Sequence, residues 1–286
     1  HHRILAQDVI NAKREHPEAV VVAHPECTMD VIRLADAVES TSGMLRYVSQ
    51  SPAREFIICT ERGLLHRMEV ENFQKKFYNP SPVNICPFEA AAFRVPAGGS
   101  RLRVIGVHEG QIVTEKLLLS PPVVAGEAVP DVEQDILKLA VVERHLASGQ
   151  IGLGFVRGFG LRRGAIASSV AHDSHNVIVL GTNDADMYAA VQEVARLRGG
   201  LTAVVDGKAV ASVPLPIAGL MSDQPLGIVA DQLDRLLSTV RDLGCTLHDP
   251  FMSLSFLALP VIPALKLTDK GLVDVTQFRF VPLFEP

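Results

Sequence analysis

Short apolar runs alternate with helical periodicities through the first third of the chain. Asp8 to Glu15 carries a helical pattern that stops before Pro17, and Ala19 to Ala23 is a β-branched run that ends at a polar turn. Thr28 is placed to cap a helix through Val31, Leu34, Ala35 and Val38. Met44 to Val48 reads as another apolar helix segment, and Glu55 to Cys59 as a second buried strand. Strands alternating with helices predict a three-layer α/β domain around a parallel sheet. Such sheets place ligands beyond the C-terminal ends of their strands. His24, Pro25 and Glu26 follow the first strand there, and Thr60 and Glu61 follow the second.

Between Asn79 and Ser100 the prolines Pro80, Pro82, Pro87 and Pro96 and the pair Gly98-Gly99 mark a joint. The pattern changes after it. Arg101 to Val107 and Gln111 to Leu118 read as paired strands, Val132 to Leu146 as a helix, and Val177 to Leu180 as a strand. Asn183 is a helix cap for a segment that runs to Arg198 and closes at Gly199-Gly200. Asp206-Gly207 between Leu201 to Val205 and Lys208 to Val213 is a hairpin signal. Leu226 to Leu243 is amphipathic and stops at Gly244. The expected organisation is therefore residues 1–87 as a three-layer α/β domain and residues 88–286 as an α+β domain with a mainly antiparallel sheet.

Composition narrows the classes. With 48% hydrophobic residues, 21% charged residues and a net charge of −5, the chain is neither a disordered polymer nor a basic nucleic-acid binder. No run approaches the ~18–20 uncharged apolar residues of a membrane span. The scattered Cys27, Cys59, Cys86 and Cys245 do not form a disulfide framework. No apolar leader is visible, so the expected compartment is the cytoplasm, although a start at His1-His2-Arg3 implies an upstream portion.

Several short constellations carry candidate chemistry. His24-Pro25-Glu26-Cys27 sets an imidazole and a carboxylate at a strand end, suited to proton transfer or to gripping a polar substrate; taken alone, a solvated turn is the simpler reading. Ser40-Thr41-Ser42-Gly43 offers hydroxyls and amides at a helix start, where an ordinary cap is again simpler than an anion site. Cys86, in Asn84-Ile85-Cys86-Pro87, is a candidate thiolate ligand. Ser168, Ser169, His172, Asp173, His175 and Asn176 crowd one stretch, where flanking strand patterns favour a hydrogen-bonded loop over a complete metal site. The glycines Gly152, Gly154, Gly158, Gly160 and Gly164 do not match a dinucleotide fingerprint and point to close backbone approach. Asp223 ends the loop that begins at Pro214, while Cys245 and His248 read as packing and turn residues.

In combination these stretches resemble two families. VVAHPECTMDVIRLADAVESTSGMLRYVSQSPAREFIICTERGLLHRM, followed by NICP, is similar to the last third of quinolinate synthase. That resemblance implies one of three similar domains around a 4Fe–4S cluster, in an enzyme of NAD biosynthesis that condenses iminoaspartate with dihydroxyacetone phosphate. It implies substrate contacts by His24, Pro25, Glu26, Thr41 and, more weakly, Ser42, with Cys86 as one cluster ligand.

From about Phe93 the stretches RVIGVHEGQIVTE, DILKLAVVERH, GLGFVRGFGLRRGAIASSVAHDSHN, PLPIAGLMSD and PFMSLSFLALPVIPALKLTDKGLVDV resemble the C-terminal domain of bacterial adenine deaminase. That family hydrolyses adenine to hypoxanthine and ammonia in purine salvage, through a divalent metal (Mn, Fe or Zn) held in a β/α barrel. The resemblance nominates His172, Asp173 and His175 as catalytic candidates and Asn176 and Asp223 as substrate-binding ones. Two departures accompany it. The other cluster cysteines and the barrel's HxH pair have no counterpart, so neither metal centre is expected to be complete and the chain alone is expected to be inactive. The resulting expectation is a fusion acting on small molecules, without nucleic acid or membrane partners, that self-associates or binds a partner supplying the missing domain. The alternatives are a quinolinate synthase-type substrate-binding domain and a non-catalytic binding module.

Overall fold

The structure is a computed structural model that describes residues 4–60, 62–78 and 83–285. The chain divides into two compact units, residues 1–82 and 83–286. Residues 79–82 of the predicted joint, and Glu61 at the second strand end, lie outside the described residues.

The first unit runs α1 (Ala6–Glu15), β1 (Val20–Ala23), α2 (Met29–Ile32), β2 (Ala37–Val38), α3 (Thr41–Gln50), β3 (Glu55–Cys59), α4 (Arg62–Glu71) and β4 (Lys76–Tyr78). Its sheet has the order β2-β1-β3-β4, and all three pairings are parallel. Because successive strand residues point to opposite faces, β1 and β3 feed two clusters. Val21, Ala23, Ile57 and Cys59 pack with Val9, Ala12 and Val31 from α1 and α2. Val22, Phe56 and Ile58 pack with Met44, Val48, Leu65 and Met68 from α3 and α4. Burial on both faces is why these strands read as unbroken apolar runs.

One expectation fails here. The helix predicted through Val38 stops at Ile32, and Ala37–Val38 is a strand. Asp36 turns the chain, its N–H donating to Val21 O at 2.8 Å and its Oδ2 accepting from Val21 N at 2.8 Å, which sets Ala37 beside Val22. Strand pairing thereby overrides a periodicity whose members Leu34 and Val38 remain 38% and 41% exposed.

The second unit begins with a 3-10 turn, Ala90–Phe93, then β5 (Arg101–Gly106), β6 (Glu115–Leu119), β7 (Val123–Val124), β8 (Glu127–Ala128), β9 (Leu137–Val142), β10 (Ile151–Arg157), β11 (Ala165–Ser168) and β12 (Val177–Gly181). It continues with α5 (Asp184–Arg196), β13 (Gly200–Val205), β14 (Lys208–Pro214), α6 (Leu226–Asp242), α7 (Pro250–Phe256), β15 (Leu265–Thr268), β16 (Gly271–Asp274), β17 (Arg279–Phe280) and β18 (Phe284–Glu285). A nine-stranded sheet has the order β14-β13-β11-β12-β9-β10-β5-β18, with β6 also on β5. The β10–β5 pairing is parallel, and the other pairings of this sheet are antiparallel. α5 covers one face, with Met187, Ala190, Val191 and Val194 against Ala167 and Val179. α6, α7 and the β15–β16 hairpin cover the other, with Leu236, Val240, Leu254, Leu265 and Leu267 against Leu139 and Ile178. Among the described residues no helix is long and apolar enough to cross a membrane.

The helix expected over Val132 to Leu146 is instead β9, inserted between β12 and β10 with all six residues buried. LKLAVV has no polar stripe to face water, and in the sheet both of its edges are hydrogen-bonded. Other local signals correspond to observed features. Asn183 Oδ1 accepts from Asp186 N at 2.8 Å, and Asp206 and Gly207 take φ of 52° and 73°, as a type I′ turn requires. At Gly158, with φ of 114°, an added Cβ would lie 2.2 Å from Val107 O, so that glycine serves close backbone approach.

Candidate functional site

In the first unit β1 delivers the HPEC turn to the sheet's C-terminal edge. His24 N–H donates to Cys59 O at 3.2 Å, and Cys27 N–H closes the turn on His24 O at 2.9 Å. Glu26 N–H donates to His24 Nδ1 at 3.3 Å, which leaves the ring proton on Nε2. That nitrogen lies 3.5 Å from Thr41 Oγ1 at the start of α3. α3 is held there by its Ser40 cap, whose Oγ accepts from Gly43 N at 3.3 Å. The fold therefore joins His24 to Thr41 and leaves Pro25 and Glu26 exposed beside them. Ser42, one helical step on, lines a separate cleft of about 360 Å³ with Arg46, Ser49 and Arg67.

Cys27 and Cys59 are core thiols: burial raises both pKa values, that of Cys59 to about 12, and Cys27 Sγ donates to Cys59 O at 3.2 Å. Cys245 is likewise buried and raised to about 11 by desolvation. Cys86 belongs to the second unit, where a Cβ on Gly149 would lie 3.6 Å from its sulfur. Its neighbours anchor it there: Asn84 N–H donates to Arg144 O at 2.8 Å, and the Phe88 ring meets Tyr188 edge-on at 5.3 Å.

In the second unit the turn between β11 and β12 carries the histidines. Ser168 Oγ donates to Val170 O at 3.0 Å and closes the end of β11. Ser169 Oγ donates to Gly219 O at 2.6 Å and accepts from Gly200 N at 2.8 Å, tying the turn to the loop after β14. His172 N–H donates to Ser255 O at 3.1 Å, and its ring lies 4.9 Å from Phe256 and 5.6 Å, edge-on, from His175. His175 Nδ1 accepts from Ala171 N at 3.3 Å. Burial, reinforced by His172 and Arg144 and opposed by Asp173, lowers the His175 pKa, so the imidazole is neutral near pH 7. Asn176 is buried and its Oδ1 accepts from Arg144 N at 3.3 Å, whereas Asp173 is exposed. Asp223 is also exposed, further along the loop after β14, where Gln224 Nε2 donates to its carboxylate at 3.4 Å.

Arg144 escaped the sequence reading. It is 2% exposed two residues beyond β9, and its guanidinium donates from Nε to His175 O and from Nη2 to Ala218 O at 3.0 Å. The neighbouring Glu143 caps the following turn. Burial pushes its carboxyl pKa up, but N–H groups of Ser148, Leu146 and His145 and the Ser148 hydroxyl outweigh that and hold it below the usual range. The available signal was a charged pair directly after the apolar run LAVV, which a strand buries and an amphipathic helix exposes. Among the described residues no group of three or more His, Cys, Asp or Glu side chains is placed to hold a metal ion.

These features define an α/β protein of two units, each carrying a histidine-bearing turn at a strand end. A family model of the adenine deaminase C-terminal domain matches residues 111–279, and one of the quinolinate synthetase A protein matches residues 1–92. The chain belongs to the adenine deaminase C-terminal domain family, joined to a quinolinate synthetase A-like segment. The adenine deaminase of Desulfatibacillum aliphaticivorans is 60% identical over 193 residues, 68% of this chain and 34% of that protein. Those of Dehalococcoides mccartyi strain 195 and Methanothrix thermoacetophila are 55% and 52% identical, over 71% and 69% of this chain and 35% of each relative. The chain thus spans about a third of the length of these relatives.

Proposed function

We propose that residues 83–286 shape one side of the purine site of an adenine deaminase, in which water displaces the amine of adenine to leave hypoxanthine and ammonia. The observation that carries this reading is the family match over the sheet and loops that hold His172, His175 and Asn176. A divalent metal, when bound in the part of the relatives that this chain does not match, supplies the activated water. The residues of this chain contribute fixed polar groups: the neutral His175 ring, the Asn176 amide and the His172–Phe256 edge. A partner supplying the remaining two-thirds, or a second copy of the chain, and a cytoplasmic site of action belong to the same proposal.

The test mixes the purified chain with the separately produced, metal-loaded remainder of the Desulfatibacillum relative and follows hypoxanthine. Turnover is expected in the mixture and not from this chain alone. His175→Asn is expected to lower kcat/KM about tenfold, the scale of one lost hydrogen bond. A mixture no more active than its separate parts overturns the reading, and turnover by the chain alone overturns the dependence on a partner.

The His24–Thr41 pair favours a second role for the first unit. A three-layer domain of the quinolinate synthase type would use His24, Glu26 and Thr41 to hold a small dicarboxylate related to iminoaspartate, near a dihydroxyacetone phosphate subsite. Cys86 would be one thiolate of a 4Fe–4S cluster whose other ligands come from elsewhere. Titration calorimetry with quinolinate is expected to show binding that Glu26→Ala weakens roughly tenfold. Equal heats for both proteins would remove this role.

A further inference from the structure

Arg144 has no counterpart among the residues nominated for the chemistry, yet it touches both loops that carry them. It lies two residues beyond the central strand β9, whose last residue, Val142, pairs with Val177 of β12 on one side and Ile151 of β10 on the other. From that anchor the guanidinium reaches His175 O, 31 residues away in sequence, and Ala218 O, 74 residues away. Both carbonyls belong to residues with left-handed backbone, His175 at φ 51° and Ala218 at φ 56°. Left-handed backbone costs Ala218 more than His175, and the guanidinium bonds to both carbonyls help hold the two residues in it. The cradle is tight: a Cβ on Gly219 would lie 2.7 Å from Arg144 Nη1.

The two loops are therefore not independent. Arg144 bonds the histidine turn and the loop after β14 from below, and Ser169 bonds the same loop through Gly219 O at 2.6 Å. Lysine could supply the charge but not a planar fork that serves two carbonyls at once.

We propose that Arg144 is the positioning residue of this site: its buried guanidinium clamps the carbonyls of His175 and Ala218 and so aims the His175 Nε2–H as a fixed donor at a planar heterocyclic base. The aim has a chemical basis. Ala171 N–H occupies Nδ1, the proton therefore sits on Nε2, and Nε2 has no partner among the described residues. A fixed N–H donor complements the ring-nitrogen acceptors of a purine. The inference rests on the deaminase reading for the identity of the base, but the clamp itself does not.

The groups facing the His175 ring are His172 across the edge contact, Asp173 and Arg144, with His145 held close by its Nε2 contact to Ser174 O at 2.7 Å. α7 adds the uncharged Phe256 beside His172.

The experiment uses the full chain with ring-labelled histidine and needs neither adenine nor a partner, so its failure is separable from failure of the deaminase reading. Wild type, Arg144→Lys and Arg144→Met are compared by the NMR titration midpoint of His175 and by amide exchange of residues 171–176 and 216–220. Arg144→Met is expected to raise the His175 midpoint, because a cation beside the ring is lost, and to speed exchange in both loops about tenfold or more while β9 and β12 stay protected. Arg144→Lys is expected to keep the midpoint near wild type yet still speed exchange, since the charge remains and the fork does not. Where Arg144→Met does not fold, Arg144→Lys alone decides: exchange equal to wild type in both loops overturns the proposal. A folded Arg144→Met whose His175 midpoint does not move overturns it as well, since the guanidinium then does not lie against the histidine turn.

Discussion

Gly152→Ala is expected to destabilise the second unit by about 3 kcal/mol or more, enough to detach the β15–β16 hairpin from the sheet. A Cβ at this position would lie 1.8 Å from Thr268 O, 3.0 Å from Thr268 C and 3.2 Å from Gly271 N. Each of these is a backbone atom of the tight turn, so no side-chain rotation relieves the overlap. β10 cannot retreat, because Gly152 is paired with Val141 of the central strand. The hairpin has to move instead, and it carries the buried Leu265, Leu267 and Leu272 of the main cluster. Burial of each such side chain is worth roughly 1.5–3 kcal/mol, so even partial loss dominates any change in backbone entropy. Gly154→Ala is the matched control. There the added Cβ would meet the end of the Leu267 side chain at 3.3 Å, and the expected cost is below about 1 kcal/mol because a leucine can shift. Urea denaturation of the three proteins decides the matter, and a wild-type midpoint for Gly152→Ala would refute the packing argument.

Lys266→Met is expected to act in the opposite direction, stabilising the protein at pH 7 by about 1–3 kcal/mol. The side chain is fully buried, and its ammonium donates to Ile112 O at 2.9 Å without an ion-pair partner among the described residues. Desolvation pushes its pKa down to about 8 from the ordinary 10.5. The sign follows from proton counting. Between those two values the unfolded chain binds more protons than the folded one, so wild-type stability from this group rises with pH across that window. The penalty is complete below about pH 8 and is relieved toward 10.5. The advantage of methionine should therefore be largest at neutral pH and shrink as pH climbs through the window. Cys245 and Cys59 titrate higher, at about 11 and about 12, and cancel in the difference between the two proteins. Parallel urea unfolding at pH 7 and pH 10 measures the effect; a Lys266→Met protein less stable than wild type at pH 7 would mean that the bond to Ile112 O outweighs desolvation.

The turn residues show how local chemistry can be read without tertiary information. Asn183 caps α5 because its side chain reaches an amide three residues on, and Asp206-Gly207 makes a hairpin because both accept positive φ. Gly158 is needed for a close approach that any larger residue would block. The HDSHN stretch was legible as a loop for the same kind of reason, flanked as it is by strand runs.

What the sequence determined by itself was therefore set by contacts of short range: caps, turns, the apolar runs of β1, β3 and β12, and the order of motifs that marks the two families. Only the tertiary structure decided that LKLAVV is a central strand and Ala37–Val38 an edge strand, because strand pairing with other segments settles it and a short apolar run has no period that distinguishes helix from strand. It alone decided that Thr41 faces His24 while Ser42 faces another cleft, a consequence of the turn of α3 against β1. It alone placed Arg144 beneath the histidine turn, since the carbonyls that it clamps are brought together by the packing of three separate segments and by no local rule.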